Sequence, residues 1–143
     1  MQLRLPADGA SIERARLAVL EHLAAYEPSP RLVFAVELIL EETLTNIVRH
    51  AYRSEGGGEG SGGEAGHQID LQVDVDAADL VLRFGDDGAA FDPARAPAPQ
   101  RPATLAEAVP GGLGVMLVRR YARSVAYERV GGRNQLTVTV ARA

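Results

Sequence analysis

The sequence predicts an α+β domain: a two-layer α/β sandwich with a mostly antiparallel sheet and three helices on one face. Three observations carry that expectation. Residues Gln68–Val75 alternate strictly, with Ile69, Leu71, Val73 and Val75 on one side and Gln68, Asp70, Gln72 and Asp74 on the other. That is the pattern of a strand with a single buried face. Between Ser11 and Ala51, two segments instead space their apolar residues by three and four, as amphipathic helices do. The later strands come in neighbouring pairs joined by short turns, which favours antiparallel pairing.

In chain order, Gln2–Leu5 is a short first strand with Leu3 and Leu5 inward. A helix follows over Ser11–Tyr26, its apolar side made by Ile12, Ala15, Val19, Leu20 and Leu23. Pro28-Ser29-Pro30 ends that run and starts the next. Ser29 suits the N-cap, and Pro30 suits the first helical position, where a missing N–H costs nothing. The second helix runs from about Arg31 to Ala51, with Val33, Val36, Leu40, Leu44, Ile47, Val48 and Ala51 on its apolar side. A glycine-rich connection covers about 54–66, with His67 at its end. Gln68–Val75 and a strand from Asp79, with Leu80, Leu82 and Phe84 inward, form a hairpin about Asp76-Ala77-Ala78. Gly85–Gly112 is long, polar and proline-rich, and loops of that length are functional or disordered. Gly112–Arg123 reads as a third helix, and Ser124–Val130 and Gln135–Val140 as two strands about Gly131-Gly132.

Size and composition narrow the function. The 143 residues suit one domain, 1–143, large enough to fold without a metal or disulfide staple. Cysteine is absent and all fifteen basic Lys+Arg residues are arginine, which removes thiolate chemistry, phosphate-loop lysines and Schiff-base lysines. A net charge of −4 argues against direct nucleic-acid binding. No apolar run approaches the roughly 20 residues that span a bilayer, and the N-terminus lacks the apolar stretch of a signal peptide. The expectation is a cytoplasmic protein with no membrane contact.

Three places strain the local rules. On the second helix, Glu42, Asn46 and His50 stand at i, i+4 and i+8, so their Cβ atoms form one stripe with steps of about 5–6 Å. Such a stripe is either a solvated face or a base beside a metal-ligating oxygen. In Gly85-Asp86-Asp87-Gly88, period-2 counting puts Asp86 on the buried side of its strand. Either Asp86 caps a turn, or it waits for a donor such as an amine edge, with Gly88 letting a flat ligand come close. Gly111-Gly112-Leu113-Gly114 opens a helix; it is either a hinge or a lysine-free cradle for phosphate at the helix N-terminus.

Together these stretches resemble the GHKL (Bergerat-fold) ATPases, and within them the small bacterial anti-sigma factor serine/threonine kinases. The resemblance rests on EETLTNIVRHAY (Glu41–Tyr52), GDDGAAFDP (Gly85–Pro93), GGLGVMLVRRYA (Gly111–Ala122) and GGRNQLTV (Gly131–Val138). It implies ATP and Mg²⁺ as cofactors, with Glu42 as general base and Asn46 as the Mg²⁺ ligand. It implies that Asp86 reads adenine, that Gly88 lies against the base, and that Gly112, Leu113 and Gly114 close an ATP lid spanning about 88–111. Asn134 matches a polar residue near the adenine. Val109-Pro110 stand where some kinases carry a basic residue for the γ-phosphate; Arg101, Arg119 or Arg120 would have to replace it. The implied partners are a sigma factor and an anti-sigma antagonist protein, and the implied assembly is a homodimer. Two functions remain: a kinase of the antagonist, or a nucleotide-binding interaction module with little transfer activity.

Overall fold

The computed structural model describes residues 1–53, 67–88 and 118–143, the side chains of residues 50–53 excepted. The glycine-rich connection, the expected lid with Pro110 and Arg101, and Gly112, Leu113 and Gly114 lie outside the described residues. The described elements are β1 (Gln2–Pro6), α1 (Gly9–Ala24), α2 (Pro30–Arg53), β2 (Gln68–Val75), β3 (Asp79–Asp86), β4 (Ser124–Val130) and β5 (Arg133–Ala141). The strands make one sheet in the order β1-β2-β3-β5-β4, every pairing antiparallel.

Strands β2, β3 and β5 bury alternate residues, β1 buries Leu5, and β4 packs against the core through the partly buried Val125 and Tyr127. Leu5, Ile69, Leu71, Val73, Leu80, Leu82, Phe84, Leu136, Val138 and Val140 join the core, and the helices cover that face with Ala15, Val19 and Leu23 of α1 and Leu32, Val36, Leu40 and Leu44 of α2. Each of these side chains larger than alanine contributes about 1.5–3 kcal/mol when fully buried. The opposite sheet face is polar. There Arg4 Nε and Arg133 Nη2 donate to the two oxygens of Asp70, each at 2.7 Å, beside a hollow of about 650 Å³ over Gly85.

Several boundaries move for local reasons. Helix α1 begins at Gly9, two residues before the expected start, because Asp8 caps it: Asp8 Oδ1 accepts from Ser11 N and Ser11 Oγ, both at 2.9 Å. Tyr26 lies beyond the helix, whose last residue is Ala24. The start of α2 is as expected, with Ser29 Oγ accepting from Leu32 N at 3.1 Å. Its buried stripe is rotated slightly from the expected one. Leu32 and Ile39 are in the core, whereas Val33 is half-buried. Of the third helix, residues 118–121 are described and helical, and Ala122 N donates back to Val118 O at 2.9 Å. Strand β5 starts two residues earlier than expected, at Arg133. The two glycines before it have φ of +58° and +75°, the conformation a two-residue hairpin turn of the tightest kind requires.

Candidate active site

The sheet carries the first half of the site. Antiparallel register makes Leu5, Ile69, Asp86, Asn134 and Arg129 successive partners across β1, β2, β3, β5 and β4. The row therefore passes from two apolar side chains to an acid, an amide and a guanidinium. Asp86 and Asn134 are buried, at 6% and 5% exposure, so the period-2 reading of Asp86 holds in the structure.

Asp86 also turns out to cap the strand end. Its Oδ1 accepts from Gly88 N at 2.9 Å and from Asn134 Nδ2 at 3.0 Å. Among the described residues Oδ2 has no such donor, yet no fully occluded side-chain oxygen or nitrogen among them lacks a partner. Oδ2 is therefore not fully occluded. A carboxylate oxygen held there can only accept, which suits a ligand edge that presents an N–H.

Helix α2 carries the second half. Asn46 is 7% exposed, and its amide bonds to no other side chain among the described residues. A largely buried amide with open hydrogen-bonding capacity is a group expecting a ligand. One turn earlier stands Glu42, half-buried. Burial, reinforced by the charge of Glu41, pushes the Glu42 carboxyl above its ordinary value, with Arg49 acting in the opposite direction. A carboxylate raised in this way is a better proton acceptor than a free one. The side chain of His50, the third member of the stripe, lies outside the described residues.

Sequence reasoning did not find three of the residues tied to this site. Tyr127 Oη donates to Asn134 Oδ1 at 2.5 Å, and Arg129 Nη1 donates both to Asn134 Oδ1 at 3.0 Å and to Gly88 O at 2.8 Å. A signal existed: a two-residue turn at Gly131-Gly132 makes Arg129 the cross-strand partner of Asn134. His67, read as part of the connection, is ordered against β1 and β3. Its carbonyl accepts from Ala7 N at 3.0 Å, and Nδ1 lies 2.9 Å from Asp87 Oδ1. Partial burial pushes the Asp87 carboxyl up, but the His67 hydrogen bond and charge, its own backbone N–H and Arg133 hold it below the usual range.

Among the described residues no three acidic, histidine or cysteine side chains converge to hold a metal ion. Mg²⁺ keeps waters and phosphate oxygens and takes only one or two ligands from protein. The open amide oxygen of Asn46 fits that demand.

An acid with one oxygen unbonded at a strand end and an acid–amide pair on a helix, in a two-layer fold, are consistent with a nucleotide-binding ATPase domain. Comparison with known proteins agrees: the histidine kinase-like ATPase domain family matches residues 5–140, and the chain belongs to that family. Serine/threonine-protein kinase BtrW of Bordetella bronchiseptica is 36% identical over 123 residues, covering 84% of this chain and 79% of the relative. On that relationship the chain is a protein kinase of the serine/threonine type. Two solved structures share the fold. The RsbU and RsbW domains of Rv1364c from Mycobacterium tuberculosis superpose with a TM-score of 0.59 at 14% identity, over all of this chain and 33% of that one. The SiaB–SiaC complex from Pseudomonas aeruginosa gives 0.57 at 22% identity, over 99% of this chain and 89% of that one.

Proposed function

We propose that this protein binds Mg·ATP and phosphorylates a small anti-sigma antagonist protein on serine or threonine, and that it holds a sigma factor until the unphosphorylated antagonist displaces it. Asp86 Oδ2 accepts from the exocyclic amine of adenine, and Gly88 lies beneath the base. Asn134 lines this corner through its bond to Asp86. Asn46 would hold Mg²⁺, which would supply positive charge to offset the charge developing on the phosphates during transfer. Gly112 and Gly114 supply backbone N–H groups to the phosphates, and Leu113 packs at the end of the lid.

Glu42 is the base. It takes the proton from the acceptor hydroxyl as that oxygen bonds to the γ-phosphorus and the bond from the γ-phosphorus to the β–γ bridging oxygen breaks, leaving ADP. The observation that carries the reading is the raised carboxyl of Glu42, one helical turn from the open amide of Asn46. The BtrW relationship supports kinase chemistry, and SiaB, solved with SiaC, supports a protein partner. Among the described residues no helix is long and apolar enough to cross a membrane, which accords with work in the cytoplasm. The protein functions there as a homodimer without contacting nucleic acid.

Phosphate transfer from ATP to the cognate antagonist tests this. The Glu42→Gln variant should retain ATP affinity and lose about 100-fold or more in transfer rate. A variant as fast as wild type would refute the assigned base. A wild type that binds ATP and the antagonist but transfers nothing would make the protein an interaction module instead.

A further inference from the structure

Arginine is a donor at every nitrogen and accepts nowhere, whereas a tyrosine hydroxyl can do either and an asparagine amide can present either end. These facts give the edge strand a role in the site. Asn134 sits between Asp86 and the pair Arg129 and Tyr127. Its Nδ2 must face Asp86 for that bond to exist, so its Oδ1 must face β4. Tyr127 alone does not enforce that orientation, because its hydroxyl could turn and accept from a reversed amide. Arg129 does enforce it, since a reversed amide would aim two N–H groups at a guanidinium. The same Nη1 also holds Gly88 O at 2.8 Å. Gly88 N in turn donates to Asp86 Oδ1.

We propose that Arg129 is a positioning residue that sets base selectivity: by fixing the Asn134 amide and the Gly88 peptide, it keeps both donors on Asp86 Oδ1 and leaves Oδ2 as the lone acceptor for the base. The proposal rests on the reading of this cleft as an adenine site. Without Arg129 the amide can reverse and set Asn134 Oδ1 against Asp86 Oδ1. Two acceptors at hydrogen-bond distance repel, and the pair relaxes when Asp86 turns away. A turned Asp86 no longer favours the N6 amine of adenine over the O6 carbonyl of guanine. Selectivity therefore falls together with affinity for ATP.

The test is competitive binding of ATP and GTP to the full chain, with steady-state transfer measured alongside. Arg129→Met should reduce the ATP-over-GTP preference at least about fivefold, raise KM for ATP and leave kcat near wild type. Arg129→Lys, still a pure donor, should restore most of the preference. Should the Met variant not fold, Arg129→Gln carries the same expectation, because Gln can accept as well as donate. Equal losses for ATP and GTP, or a kcat loss at unchanged KM, would reduce Arg129 to a scaffold residue and overturn this inference alone. A wild type that binds neither nucleotide would overturn the adenine site and this inference together.

Discussion

Glu42 is a carboxyl that the fold would hold more comfortably as an acid. Burial favours its protonated form, so the native state binds that proton more tightly than the unfolded chain does. The resulting stabilisation is complete below the ordinary carboxylate range and is lost as pH rises through the raised pKa. Glutamine is neutral throughout and escapes the loss. Glu42→Gln should therefore melt at a higher temperature than wild type at pH 8, with the gap closing towards pH 4. Thermal unfolding at both pH values checks this, and a gap that is reversed or widens in acid would contradict it. Asp86 was legible from alternation alone, since Leu80, Leu82 and Phe84 fix its face. Arg129 was not, although the glycine turn implied its partner, because the direction of an arginine side chain on an edge strand depends on what it meets.

At the scale of elements, turn and cap chemistry decided the boundaries. Ser29 and Pro30 mark the start of α2 in the sequence, and the Ser29 Oγ bond to Leu32 N shows why. Ser29→Ala should cost about 1 kcal/mol, read as a lower denaturation midpoint with an unchanged slope. An unaltered midpoint would mean that packing alone holds that helix end. Asp8 carried the same signal at α1, three residues before Ser11, but the apolar repeat begins later and drew the expected start with it. The stripe of α2 was misread by one position at Val33. Leu32 and Val33 are adjacent and both apolar, and only the packed sheet selects between them. His67 shows the opposite limit: its composition placed it with the glycines, whereas a long-range backbone bond to Ala7 orders it.

At the scale of the molecule, the two layers divide the work. The sheet brings Asp86, Gly88, Asn134 and Arg129 to one end through register, and α2 presents Glu42 and Asn46 through helical spacing. Ordered motifs on alternating and periodic segments made the fold and these residues, Arg129 excepted, readable. The polar sheet face around Arg4, Asp70 and Arg133 was not, because its pairings join residues more than sixty positions apart. The account depends on Asp86 accepting a hydrogen bond from adenine, and isothermal titration with Mg·ATP of wild type and Asp86→Asn measures that directly. An amide there can keep its oxygen on the Gly88 and Asn134 donors only by turning an N–H towards the adenine amine. The account predicts measurable binding to wild type and affinity about tenfold or more weaker for Asp86→Asn, as the loss of a hydrogen bond to a charged group implies. Equal affinity in the two proteins would contradict it.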